Sequence, residues 1–311
     1  MRITCLLIFL ALLPSSDATG FEKTRIAQRS VASVPLILMD GLPYVRASIG
    51  STSATLFLDT GSSTGLLLSE KFVQNNGGIK RLSTTQRTAD ITGRTFEAAQ
   101  FSVENLSLGS VSIPRLKGAI DHDWGLSIGK QTEADTGTRL RDGVIGLSAF
   151  RGRAVLISYQ GKRLLIYPPG ASPSLTGSGW FAVPMSVTDD GLVINLYDGV
   201  RRQRMVLDTG ANVTLIRRES SALHALATRC LPINGQEGVC MLQDYDGLRT
   251  SDNIVLGPLQ TVLAPMEGVT FDGLLGGDLF AQFDVGLDPL ARKAWLRKRG
   301  ESTKRAQALT K

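Results

Sequence analysis

The sequence predicts an all-β protein made of two homologous lobes. Three observations carry this. A segment near the start repeats in register near the middle, short apolar runs alternate with Gly- and Asp-containing turns, and 311 residues suit two domains of about 100–150 residues.

The repeat comes first. Val34-Pro35 to Leu67 aligns without a gap onto Val183-Pro184 to Ile216 at an offset of 149 residues. Val34/Val183, Pro35/Pro184, Asp40/Asp189 and Gly50/Gly199 coincide, as does Leu58-Asp59-Thr60-Gly61 with Leu207-Asp208-Thr209-Gly210. A second pair, Asp142-Gly143-Val144-Ile145-Gly146 and Asp272-Gly273-Leu274-Leu275-Gly276, follows at an offset of 130, with Phe150 and Phe280 four residues beyond each final Gly. The first copy therefore holds 19 extra residues, which the polar stretch Asp121–Arg141 accommodates as an inserted loop.

The elements are read in chain order. Val34–Met39 and Tyr44–Ile49 alternate around Asp40-Gly41, a strong hairpin signal. Ala54–Leu58 is an apolar run that stops at Asp59-Thr60-Gly61. Phe101–Leu108 and Val111–Ile113 form a hairpin about Gly109-Ser110, and Arg153–Ile157 and Leu164–Tyr167 another about Gln160-Gly161. Leu192–Leu196, Arg204–Leu207, Asn253–Leu256 and Ala294–Leu296 repeat the scheme. Helices are short, around Glu70–Gln74, Glu219–Ala227 and Leu279–Phe283.

The ends and joints follow. Arg2, the apolar run Cys5–Leu13 and the small-x-small stretch Ser16-Asp17-Ala18 read as a signal peptide, residues 1–18. An N-terminal extension of the mature chain covers 19–33, the first lobe 34–167, a Pro/Gly/Ser-rich linker 168–180, the second lobe 181–299 and a basic disordered tail 300–311. Export, periplasmic or secreted, leaves Cys230 and Cys240 as the cysteines of the mature chain. In an oxidising compartment that pair reads as a disulfide.

Composition excludes several classes. With 20% charged residues and no apolar run of 18 residues, stable membrane insertion by helices is not expected. The net charge of +6 does not describe a basic face, because residues 292–311 hold eight Lys/Arg against Glu301 alone. Nucleic acid is accordingly not an expected partner. Two histidines, His122 and His224, and three cysteines form no HExxH and no paired CxxC, so no metal and no cofactor is expected. Asp121-His122-Asp123 is too contiguous to converge on one ion. Trp124, Trp180 and Trp295 are read as packing residues.

An ionisable residue ending an apolar strand, in a turn closed by Gly, occurs here twice at equivalent positions. Asp135-Thr136-Gly137 has the same letters without a preceding apolar strand and serves as an internal control: it reads as loop. The paired turns and their hydrophobic-hydrophobic-Gly partners resemble the pepsin/retropepsin superfamily of aspartic peptidases in a single-chain, two-lobed form, over residues 33–299, which implies the acid-protease fold of two β-barrel lobes with the active site in the cleft between them. The resemblance implies that Asp59 and Asp208 form the catalytic pair, hydrolysing a polypeptide substrate with a water activated between them. It implies dyad support from Thr60, Gly61, Ser62, Thr209 and Gly210, with Ser62 on the outer oxygen of Asp59 and no counterpart at Ala211. It also implies a flap, placed at Ile91, Thr92 and Gly93 between Thr88 and Ala98. No tyrosine stands at that tip and no tryptophan follows the first turn, and Asp-Thr-Gly-Ala is typical of retropepsin-like, bacterial-type aspartyl proteases. Both carboxyls lie in one chain, so dimerisation is not required. A noncatalytic peptide-binding protein of the same fold is the alternative.

Overall fold

A computed structural model describes residues 30–89, 95–122, 141–177, 179–199, 201–218, 229–233, 236–266 and 268–299 of the protein. In each lobe the strand that ends at an Asp-Thr-Gly turn is central. Thr52–Asp59 pairs antiparallel with Leu42–Ile49 and parallel with Gly143–Gly146. Arg201–Leu207 pairs antiparallel with Gly191–Asp198 and parallel with Gly273–Leu275. Leu56, Phe57 and Leu58, and likewise Met205, Val206 and Leu207, are buried on both faces, so these strands are continuously apolar rather than alternating.

After each turn the chain returns as Leu66–Leu68 or Thr214–Arg217, antiparallel to the hydrophobic-hydrophobic-Gly segment. That segment is thereby threaded between the two strands flanking the turn. Leu56 faces Gly143 and Met205 faces Gly273, which are the two sequence offsets realised as one register.

The gap-free alignment fails at its far end. Leu67 pairs with Val144 and Leu215 with Leu274, so past the turn the equivalent of Leu67 is Leu215 and that of Leu68 is Ile216. The first lobe holds one more residue between its Gly and its returning strand. The core decides this: a strand slipped by one residue exchanges its two faces, and Leu68 and Ile216 both face the larger cluster of buried side chains.

The lobes join through a six-stranded sheet. Its order is Ala32–Pro35, Arg163–Ile166, Val155–Ser158, Phe283–Asp288, Lys293–Lys298 and Trp180–Thr188, three strands from each lobe. At its centre Leu156 pairs with Gly286, its own duplicate at the offset of 130, so a pseudo-two-fold axis passes there. Val34 pairs with Leu164 as Val183 pairs with Ala294.

Two expectations are corrected. Val34–Met39 is not one strand: it divides at Leu36, with Ala32–Pro35 in the joining sheet and Ile37–Met39 in the first lobe. Asn253–Leu256 is not a strand; Asn253 has φ 61° and only a bridge between Arg249 and Val255 remains. The structural counterpart of Val111–Ile120 is Leu259–Ala264, parallel to the returning strand in each case. Helices occur at Glu70–Gln74, where the Ser69 side chain accepts from Phe72 N–H, and at Gly277–Gln282. Residues 219–227 lie outside the described set, as do most of the inserted loop, Trp124, His224 and the Asp135-Thr136-Gly137 control.

Candidate active site

Asp59 and Asp208 meet at the lobe interface, 4% and 9% exposed. Their carboxyls hydrogen-bond one another. Each sits at the end of a strand that cannot continue, because Thr60 and Thr209 are committed across the interface. Thr60 Oγ1 donates to the Leu207 carbonyl at 2.7 Å and accepts from Thr209 N–H at 3.0 Å. Thr209 Oγ1 donates to the Leu58 carbonyl at 2.7 Å and accepts from Thr60 N–H at 3.0 Å. Four reciprocal bonds between buried groups fix the two turns to each other.

Gly61 and Gly210 are required by close approach. A Cβ at Gly61 would lie 2.5 Å from Asp208 Oδ1, and one at Gly210 would lie 2.6 Å from Asp59 Oδ1. Within each turn the carboxylate accepts from the peptide: Asp59 Oδ1 from Gly61 and Ser62 N–H at 2.9 and 3.0 Å, Asp208 Oδ1 from Gly210 N–H at 2.7 Å.

Ser62 is therefore placed at the dyad through its backbone. Its hydroxyl does not take the expected partner; it donates to the Thr64 carbonyl at 3.2 Å. The flap residues Ile91, Thr92 and Gly93 lie outside the described residues; the strands Ile79–Ala89 and Thr95–Leu108 flank them as an antiparallel pair.

Burial dominates the electrostatics. Desolvation pushes Asp59 well above the ordinary aspartate value, and the charge of Asp208 pushes it further. Asp208 is also raised by burial, opposed by hydrogen bonds from Asp59 and from neighbouring peptide N–H groups. Two like carboxyls in contact cannot both ionise readily, so the pair holds one proton over a broad window. Such a pair can take a proton from a water and lend one to a carbonyl oxygen.

A cavity of about 100 Å3 opens beside the first turn, with Ser62, Thr64, Leu67, Phe96, Ile120 and His122 among its walls. His122 stacks on Phe96 with ring centroids 6.3 Å apart. A larger groove of about 980 Å3 beside Arg115, Lys117, Arg151 and Arg153 contains neither aspartate. Trp180 and Trp295 belong to the joining sheet, Trp180 beneath the Arg297 guanidinium at 4.7 Å. No group of His, Cys, Asp and Glu suited to a metal occurs among the described residues.

Cys230 and Cys240 form a disulfide. They are direct cross-strand partners, and their Cα atoms stand 3.9 Å apart, closer than the usual 4.4–6.8 Å range.

One pair of supporting positions escaped the reading of motifs. Asp142 Oδ2 accepts from Thr55 N–H at 2.8 Å, and Asp272 Oδ2 from Arg204 N–H at 2.8 Å, so each pins a strand that ends at Asp59 or Asp208. The signal was present, since both hydrophobic-hydrophobic-Gly segments are introduced by Asp-Gly.

No protein-family model and no curated protein matches the sequence. Among solved structures, the chain is similar to the aspartic proteinase from Irpex lacteus, with a TM-score of 0.60 and 17% identity over 88% of this chain and 99% of that one. The chain has the two-lobed fold of a pepsin-like aspartic proteinase.

Proposed function

We propose that the protein is an aspartic endopeptidase that hydrolyses peptide bonds with a water held between Asp59 and Asp208. The observation that carries this is the hydrogen-bonded carboxyl pair at the centre of a reciprocal threonine lock. The ionised member of the pair removes a proton from the water as it attacks the scissile carbonyl carbon. The protonated member donates to the carbonyl oxygen, and a proton then passes to the departing nitrogen. The substrate is a polypeptide, with one side chain seated in the cavity beside Ser62 and Thr64. No cofactor is needed and both acids come from one chain, so dimerisation is not required.

Residues 1–18 are read as a cleaved export signal, 19–33 as an extension, 34–167 and 181–299 as the lobes, 168–180 as the linker and 300–311 as a tail. The Cys230–Cys240 disulfide suits an oxidising, exported location. Among the described residues no helix is long and apolar enough to cross a membrane. Ala211 after the second Asp-Thr-Gly, and the absence of a tryptophan after the first, set the turn sequences closer to retropepsins than to pepsins.

The test is incubation of the purified protein with a peptide library from pH 3 to 7, with and without pepstatin. Cleavage that pepstatin abolishes is expected. Saturable peptide binding without cleavage at any pH would favour the noncatalytic alternative, for which Ala211 and its missing hydroxyl speak.

A further inference from the structure

The first lobe leaves part of one strand unpartnered. Val111–Ile120 is paired along one flank with Thr95–Leu108, but on the other flank only Ala119 and Ile120 pair, with Leu67 and Leu68. Among the described residues Val111–Lys117 therefore presents an open sheet edge, and it forms one wall of the groove of about 980 Å3. Other walls come from the turn Leu147–Phe150 with Arg151, from Arg153 and from Pro168-Pro169.

Four cations line this groove, Arg115, Lys117, Arg151 and Arg153, and no Asp or Glu stands among its described lining residues. Arg153 donates to the Tyr167 carbonyl at 3.3 Å. Arg115, Lys117 and Arg151 are exposed, and their side chains make no hydrogen bond or ion pair among the described residues. Arg115 has φ 50°, a left-handed conformation uncommon outside glycine. The burial of the strand shifts phase there: Ile113 and Leu116 are buried, with Pro114 and Arg115 exposed between them. The chain outside residues 292–311 is close to neutral, so the cluster is no by-product of overall basicity.

Proline and charged residues on a free edge guard it against unwanted pairing. That role accounts for Pro114 and Lys117. It requires neither a single sign of charge nor the contribution of Arg151 and Arg153, which lie outside any strand. A site for single-stranded nucleic acid adds aromatic platforms to a basic groove, and no aromatic residue is among the described lining residues. A free edge instead offers peptide N–H and C=O groups that an extended polypeptide pairs with as a further strand. Pro114 has no N–H to give, so charge must carry much of the affinity. Ser30 also lines the groove, but residues 19–29 before it hold Lys23, Arg25 and Arg29 against Glu22 alone, the wrong sign to fill it.

We propose that the groove docks an acidic, extended segment of a partner polypeptide along the open edge Val111–Lys117, with its carboxylates set against Arg115, Lys117 and Arg151. The groove contains neither Asp59 nor Asp208, so its occupant is independent of the peptidase reading.

The test is fluorescence anisotropy at about pH 7, where carboxylates are ionised, on the full chain with a labelled peptide of alternating Glu and Val matched in length to the open edge. Saturable binding is expected, weakened by high salt and at least about ten-fold weaker when Gln replaces Glu in the peptide. Arg115→Gln, Lys117→Gln and Arg151→Gln combined should weaken binding about ten-fold, at about two-fold for each exposed pair. The Tm should stay at its wild-type value, because all three residues are exposed. N-methylation of every second peptide nitrogen, in one of its two registers, should weaken binding about five-fold by blocking the ladder. No saturable binding below about 1 mM, equal binding of the Gln peptide, equal binding by the triple variant, or indifference to both N-methylations would overturn the proposal. So would displacement by pepstatin, which would put the peptide in the cleft, or an oligothymidylate binding as tightly as the peptide. A concentration-dependent dimer that the triple variant abolishes would overturn it too, since the occupant would then be a second copy of the chain.

Discussion

Thr60 and Thr209 each use a single hydroxyl as donor and acceptor across the lobe interface, so one substitution unpairs two groups at once. Thr60→Val leaves the Leu207 carbonyl and the Thr209 N–H buried without partners, at about 1–3 kcal/mol for each orphaned group. A urea titration should show a loss of at least about 2 kcal/mol, and Thr60→Ser should recover most of it. The aspartates behave differently. Asp59→Asn and Asp208→Asn keep the shape of the turn, so each should fold and lose turnover. The double variant should be little worse than either, because the residues act as a unit; measured kcat values on folded protein decide it. At this scale the sequence was legible where register selected residues. Asp59 and Asp208 stood out from Asp135 because they ended apolar strands at matched positions. The hydroxyl of Ser62 was misassigned because sequence places a residue in a turn without saying whether its side chain or its peptide faces the neighbour. Asp278 left no signal at all: its bond with Thr214 joins residues 64 apart along the chain.

Strands whose pairing is local, or repeated by the duplication, were read from pattern, and other distantly paired strands were not. The hairpin about Gly109-Ser110 and the threaded hydrophobic-hydrophobic-Gly segments follow from alternation and repetition. Val34–Met39 looked like one strand because its apolar letters continue through Leu36, yet the chain passes there from the joining sheet into the first lobe. Asn253–Leu256 carried β-branched letters, but Asn253 takes a left-handed conformation and the segment forms a turn beside Leu248. The one-residue slip after the first Asp-Thr-Gly was hidden for a related reason. Leu66, Leu67 and Leu68 are identical letters, and only the core distinguishes which face each takes. The hairpin Arg229–Ile233 and Gln236–Tyr245 is stapled by Cys230–Cys240 far along the sheet from the dyad. Closing so short a loop limits the entropic contribution to about 3 kcal/mol. Replacing both cysteines with serine should therefore lower Tm while leaving kcat and KM unchanged, and a change in kcat of more than about three-fold would show that this hairpin reaches the site.

The whole molecule is held at its base by a buried carboxylate and at its centre by buried carboxyls, and the two respond to pH in opposite senses. Asp284 lies in the joining sheet. Burial alone would raise it, but Arg299 and Arg297 outweigh burial and hold it below the ordinary aspartate value, while Arg299 also reaches Ser158 of the other lobe. A carboxyl lowered by folding contributes stability above its unfolded pKa, and that contribution is lost as pH falls through the folded value. Asp59, Asp208 and Asp278 are raised by burial. Their contribution is fully present below the unfolded pKa of about 4 and is lost as pH rises through their folded values. For Asp278, raised to about 6, the loss falls between pH 4 and 6 and amounts to about 3 kcal/mol at most. Stability should accordingly peak in mild acid, near pH 4, declining below it as Asp284 protonates and above it as the buried carboxyls ionise. The proposed hydrolysis requires one proton on the dyad, so it should also fall on both sides of its window, with an optimum below about pH 6.5. Calorimetric Tm values from pH 3 to 8 and kcat over the same range test the two curves separately. Asp278→Asn should flatten the decline in Tm between pH 4 and 6 and leave the acid side, set by Asp284, where it was. A Tm that climbs steadily from pH 4 to 8 would mean that the buried carboxyls do not control the pH response of the fold.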